Sequence, residues 1–274
     1  MGMGLSSTEI SYLLETAVVA ARLAGQRAME EIRFIHAVQK DADELVTEAD
    51  PICQKIIIDH IKENYPDHGF LAEENAGEKM LKLAPRGEPS IWWIIDPIDG
   101  TNNFANGLLC FSVSIAVMEA GKPIVGVVFE PATDSMFTAA VGMESQMNGS
   151  RIQVNRQELN RFACFGIDSH LEPAYAQAYQ EVMLKTRFRC LGSTALHLAY
   201  VAKGSLIGSA VLRSRLWDIA AGVLLVERAG GFVSSLERES LFPVDVGAYQ
   251  GQFIPLLAGN DYKKGEIKKI FSRR

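Results

Sequence analysis

Asp96 and Asp99 stand three residues apart, at the end of an apolar run and directly ahead of Gly100-Thr101. Carboxylates are hard oxygen ligands suited to divalent cations. A helix starting at Thr101 would add unpaired N–H groups and a dipole that favours an anion. Together these residues suggest divalent metal ions holding a phosphate. They suit equally well an ordinary strand–turn–helix with one solvated Asp and one capping Asp, and their physics alone leaves both readings open.

Such acids need rigid elements behind them. Ile91-Trp92-Trp93-Ile94-Ile95 is mostly β-branched or aromatic and predicts a buried strand. Pro97 fixes its own φ and keeps Asp96 extended, so the strand ends with that carboxylate projecting. A tight turn through Ile98 and Asp99 is expected, with Gly100 supplying a backbone geometry other residues resist. Asp50-Pro51 ahead of Ile52, Ile56, Ile57 and Ile61 predicts an N-cap, a proline at the first helical position and an amphipathic helix. Glu73-Glu74 would point to opposite faces of a strand, but at a strand end one can reach a metal while its neighbour supports it. Asp218 is expected to head the helix running to Ala229.

The blocks Asp96-Pro97-Ile98-Asp99-Gly100-Thr101 with Asn103-Phe104, Trp217-Asp218-Ile219-Ala220-Ala221-Gly222, Leu45-Val46-Thr47 with Asp50, and Ala72-Glu73-Glu74 resemble the signatures of the inositol monophosphatase family, Mg²⁺-dependent phosphatases. The resemblance implies a layered αβαβα sandwich of mixed α+β and α/β character. It also implies two or three Mg²⁺ per site, sensitivity to lithium, a homodimer, and hydrolysis of a small polyol or sugar phosphate. Carried over by position, Glu73, Asp96 and the Ile98 carbonyl would hold one ion, and Asp96, Asp99 and Asp218 a second. Thr101, hydrogen-bonded to Asp50, would activate water with help from Glu73, and the N–H groups of Gly100 and Thr101 would cradle the phosphate. Thr194 would face the substrate. Some bacterial relatives associate with the transcription machinery, so a regulatory binding protein on the same fold is the alternative of another class.

The rest of the chain divides near residue 150. In residues 1–150, Ser6 and Glu9 form a capping box ahead of a helix with Ile10, Leu13, Ala17, Ala21, Ala24 and Ala28 on one face. Lys40 to Asp50 is expected to be a hairpin or loop, and residues 75–90 a surface loop. Alternating strands after Phe111, turned at Gly121-Lys122-Pro123, Pro131–Asp134 and Asn148-Gly149, predict an antiparallel meander. In residues 151–274, strands and helices alternate, with His197 along a helix between strands. This half supplies Asp218 and the specificity residues.

With 274 residues, 48% of them apolar, the chain can bury a substantial core. A net charge of −6 without a Lys/Arg block argues against a nucleic-acid binder. No apolar run is long enough to span a bilayer and no cleavable signal is visible; a cytoplasmic location is expected. Met1 to Ser6 formally fits an N-myristoylation pattern, which carries little weight. Cys53, Cys110, Cys164 and Cys190 are widely spaced and read as reduced, mostly buried thiols.

The sequence also departs from the inositol-hydrolysing members. Asn102 replaces a threonine beside the site, and Ile207 an Asp. Val211 stands where those members carry a Glu that binds inositol hydroxyls, and a valine cannot make that bond. Arg213 and Arg215 lie nearby. They fit either a solvated strand edge or contact with a second phosphate or carboxylate, which keeps a bisphosphate phosphatase as the alternative enzyme.

Overall fold

The computed structural model describes residues 5–33, 37–39, 45–75, 80–260 and 264–272. The Met1–Ser6 pattern falls largely outside them, as do Lys40 to Glu44 and residues 76–79. In chain order the elements are α1 (Ser7–Glu31), β1 (Ala37–Gln39), β2 (Leu45–Thr47), α2 (Ala49–Asn64), β3 (Gly69–Ala72) and β4 (Leu81–Leu83). Then come β5 (Ile91–Asp99), α3 (Thr101–Ala105), β6 (Ser112–Glu119), β7 (Lys122–Glu130), β8 (Ser135–Ala140), β9 (Gln146–Met147) and β10 (Ser150–Arg151). The second half has β11 (Cys164–Ile167), α4 (Ala176–Lys185), β12 (Arg187–Arg189), α5 (Thr194–Ala202) and β13 (Gly208–Val211). It ends with α6 (Leu216–Arg228), β14 (Gly231–Ser235), β15 (Leu256–Asn260) and α7 (Lys264–Phe271).

An eight-stranded sheet runs in the order β10-β9-β8-β7-β6-β5-β3-β4 and a five-stranded sheet in the order β12-β11-β13-β15-β14. Side chains alternate along β5, and both of its faces are buried. Ile91, Trp93 and Ile95 pack with α1 and α2, whereas Trp92 and Ile94 pack with α5 and α6. The second face of α5 and α6 meets Val211, Leu256 and Ala258 of the smaller sheet. Phe165, Ile167, Ala210 and Leu257 turn outward to α4 and α7. The layers are therefore helix, sheet, helix, sheet, helix, as expected of an αβαβα sandwich. The small residues after Asp218 permit this stacking: a Cβ on Gly126 of β7 would lie 2.7 Å from the Ala221 carbonyl oxygen.

The capping box at Ser6 and Glu9 and the buried alanine face of α1 are as expected, and so is the β6–β7–β8 meander. The Asn148-Gly149 turn also forms, both residues having positive φ. Other expectations are corrected. Residues 75–90 contain β4, which pairs antiparallel with β3, because Leu81 and Leu83 give that edge a partner. The large sheet is mixed, β3 being parallel to β5. In the second half strands and helices alternate as expected from β11 through α6 to β14, and β15 then follows β14 directly and runs antiparallel to both β13 and β14. Of the cysteines, Cys53 alone is buried, and Cys190 is exposed.

Candidate active site

The expected tight turn at Ile98-Asp99 is instead a continuation of β5 through Asp99. Asp96 pairs with Ser114 and Asp99 with Ser112, so three steps on β5 match two on β6. In a regular strand, residues three apart point to opposite faces. This irregularity at Pro97-Ile98 restores both acids to one face, as a bulge does. Gly100 follows at φ +99°, with room for a Cβ denied by the carbonyls of Gly192 and Cys110 at 3.1 and 3.2 Å. Helix α3 then begins at Thr101 as expected.

Glu73, Asp96, Ile98, Asp99, Gly100, Thr101, Thr194, Arg213, Arg215 and Asp218 all line one cleft of about 290 Å³. Asp50 lies behind it, fully buried. It is not the N-cap, since α2 starts at Ala49 and Glu48 holds the cap position. The carboxylate turns back instead: Asp50 Oδ2 accepts from the Thr47 N–H at 2.8 Å and from Thr47 Oγ1 at 2.6 Å. Its other oxygen accepts from Thr101 Oγ1 at 3.3 Å, and that hydroxyl also lies 3.0 Å from the Ile98 carbonyl. Glu73 faces the cleft just past the end of β3. Glu74 is buried beside it, its N–H and carbonyl bonded to the Gln54 side chain at 2.8 and 2.6 Å. Asp218 likewise does not head its helix; it is the third residue of α6, where Oδ2 accepts the Arg215 N–H at 2.7 Å.

Asp99 ties the site to the second half of the molecule. Its Oδ2 accepts from Ser193 Oγ and from the Ala195 N–H at 2.8 Å, and its Oδ1 from the Thr194 N–H at 3.1 Å. Both oxygens thus bind the first turn of α5. Asp96 Oδ1 accepts the Ile98 N–H at 3.0 Å. With three acids turned onto protein donors, no three acidic, His or Cys side chains among the described residues close on a single point. The donor chemistry nevertheless fits Mg²⁺: every candidate ligand is a hard oxygen, and buried like charges call for a cation.

Electrostatics makes that need explicit. Burial pushes Asp50 and Asp99 up to about 6. Asp96 and Asp218 are raised well above the ordinary range, first by burial and then by their acidic neighbours, Glu73 and Asp99 among them. All four folded-state values exceed the roughly 3.9 of an unfolded Asp. The folded chain therefore holds extra protons above about pH 4 and loses stability as pH rises through about 6, and further where Asp96 and Asp218 ionise. His197, held down to about 4 by burial, and His68, also lowered by burial, oppose this below about 6.5, two groups against four. Thermal melts in EDTA should accordingly show higher stability near pH 5 than near pH 7.5, with Mg²⁺ flattening the slope. A metal-free melting temperature that climbs steadily over that interval would contradict the clustered-acid electrostatics.

The family signature of inositol monophosphatases matches residues 9–265. The chain belongs to the inositol monophosphatase family. Nus factor SuhB of Escherichia coli is 38% identical over 231 residues, covering 81% of this chain and 84% of its own. The crystal structure of extragenic suppressor protein suhB from Bartonella henselae superposes with a TM-score of 0.83 at 30% identity, over 96% of this chain and 99% of that one. An inositol monophosphatase (IMPase) from Thermotoga maritima gives 0.80 at 30% identity, over 95% and 96%.

Against that family background, several positions behave unlike their sequence reading. Val211 does not border the cleft; it is fully buried among α5 and α6, and Ile207 is buried on the α4–α7 side. Arg187-Phe188-Arg189 is the exposed edge strand β12. Arg213-Ser214-Arg215 is no strand edge, because β13 ends at Val211 and the chain turns into the cleft. Asp168, Ser169, His170, Cys190 and Phe253 also line the cleft without having been singled out. Asp168 carried a usable signal, an acid directly after a predicted strand, as at Asp96. Phe253, in an irregular segment, carried none.

Proposed function

We propose that the protein is a Mg²⁺-dependent phosphomonoesterase acting on a small polyol or sugar phosphate. The observation that carries this reading is the β5 irregularity, which sets Asp96 and Asp99 on one face immediately before a helix start whose Thr101 is bonded to buried Asp50. Glu73, Asp96 and the Ile98 carbonyl would hold one ion, and Asp96, Asp99 and Asp218 another. Bound there, Mg²⁺ would neutralise phosphate oxygens and lower the pKa of water.

The chain's own groups would do the rest. The N–H groups of Gly100 and Thr101 bind phosphate oxygens at the start of α3. Thr101 Oγ1, donating toward Asp50, keeps its lone pairs for the attacking water and orients it toward phosphorus. Asp50, pushed up to about 6 by burial, accepts a proton more readily than an exposed acid, so Thr101 and Asp50 form a relay for general-base work. Asp99 fixes the first turn of α5 and with it Thr194 beside the substrate. A homodimer belongs to the same proposal. Among the described residues no helix is long and apolar enough to cross a membrane, which is compatible with the cytoplasmic reading. Phosphate release from a panel of esters, with Mg²⁺ and with EDTA, is the test.

One finding supports a second reading. Several of the similar curated proteins carry the name Nus factor, so a regulatory binding role on this fold stands beside catalysis. Absence of any stoichiometric partner in a pull-down would count against it.

A further inference from the structure

The cleft that holds the acids also carries Arg213, Arg215 and His170. The turn bearing the two arginines is pinned at three points. At its start, Asp168 Oδ2 accepts the N–H groups of Leu212 and Arg213 at 2.9 and 3.1 Å. In its middle, buried Ser214 donates from Oγ to the Ile254 carbonyl at 3.0 Å and accepts the Ile254 N–H on its own carbonyl at 2.8 Å. At its end, Asp218 takes the Arg215 N–H. Those bonds seat the turn against Phe253. The Arg213 guanidinium lies 5.1 Å from that ring's centroid and Arg215 lies 5.5 Å from the same ring.

Two guanidinium groups on one ring, on a turn without slack, make a preorganised anion reader, and planar arginine suits carboxylate and phosphate alike. The cleft volume of about 290 Å³ approaches the lower end of small-ligand sites, room for more than a phosphate alone.

Resting on the phosphatase reading above, we propose that the preferred substrate is a phosphate ester bearing a second anionic group. Arg213 and Arg215 read that group, and Asp168 is the positioning residue that holds their turn in place. The second anion is a carboxylate or a phosphate, and matched pairs separate the two. 3-Phosphoglycerate against glycerol 3-phosphate tests the carboxylate, and fructose 1,6-bisphosphate against fructose 6-phosphate tests the phosphate.

For at least one pair, kcat/KM should favour the doubly anionic member by about tenfold or more, mostly through KM. Arg213→Ala should bring that ratio to within about twofold of unity. Asp168→Ala should lower it several-fold, and Asp168→Asn, which keeps an acceptor oxygen, should recover most of the loss. A wild-type ratio at or below one in both pairs, or a ratio unchanged by Arg213→Ala, would overturn the proposal. If no ester is hydrolysed, the phosphatase reading fails first. Calorimetric binding of the same pairs then decides the subsite, equal affinities overturning it and a preference lost in Arg213→Ala upholding it.

Discussion

Asp96→Asn should reduce Mg²⁺-dependent phosphate release by roughly 10³-fold or more, about 4 kcal/mol of transition-state stabilisation, while raising the melting temperature of the metal-free protein. The two effects have one origin. Asp96 is 2% exposed and shares its surroundings with Glu73, Asp99 and Asp218. Ionised without a cation, it opposes folding; ionised beside one, it would be a metal ligand. Asparagine keeps an oxygen for the Ile98 N–H and removes the charge, so the backbone of the β5 irregularity is undisturbed. Relief of like-charge repulsion by about 1 kcal/mol corresponds to a rise of roughly 2–4 °C in EDTA. Differential scanning fluorimetry with and without Mg²⁺, on the samples used for phosphate release, checks both signs. A variant less stable than wild type in EDTA would show that Asp96 is held by structure rather than strained by charge.

Thr101→Ala should lower kcat by about 10²–10⁴, the span of a general-base contribution, with KM changed little. The methyl group removes the hydroxyl that links Ile98 and Asp50 and with it the proposed acceptor for the water proton. Folding should be nearly unaffected, because Asp50 keeps both hydrogen bonds from Thr47. Thr101→Ser restores the hydroxyl without the methyl group and should stay within about tenfold of wild type. Circular dichroism melts accompany the kinetics to separate chemistry from stability. An alanine variant with nearly full kcat would remove Thr101 from the mechanism and leave Asp50 as a buried structural acid.

What could be read from the residues, and what could not, follows from how local each determinant is. The buried strand at Ile91–Ile95, the capped α1 and the glycine at φ +99° rest on neighbours within a few positions, and all three are found. The strand-to-helix grammar also singled out Asp96 and Thr101, the family resemblance added Glu73, and all three line one cleft. Other positions are read less fully. Asp50 read as an N-cap, but it lies inside α2, where one oxygen accepts from Thr47 and the other reaches Thr101, 51 positions away. Asp218 read as the head of its helix; it is the third residue and accepts the Arg215 N–H as the inner half of a capping box. Asp99 read as a turn residue, because its partner is the first turn of α5, some 94 to 96 positions away. The arginines at 213 and 215 read equally as strand edge. The end of β13 at Val211 and the Ile254 hydrogen bonds, neither encoded nearby, turn them inward.

The most direct test of the account is phosphate release by the wild-type protein across inositol, glycerol, sugar and nucleotide mono- and bisphosphates. Each ester is assayed with Mg²⁺, with EDTA and with added Li⁺. Turnover of at least one small phosphate ester is expected, abolished by EDTA and recovered when Mg²⁺ is restored. Silence across the whole panel, from protein that melts cooperatively, would contradict it and leave the fold as a docking surface.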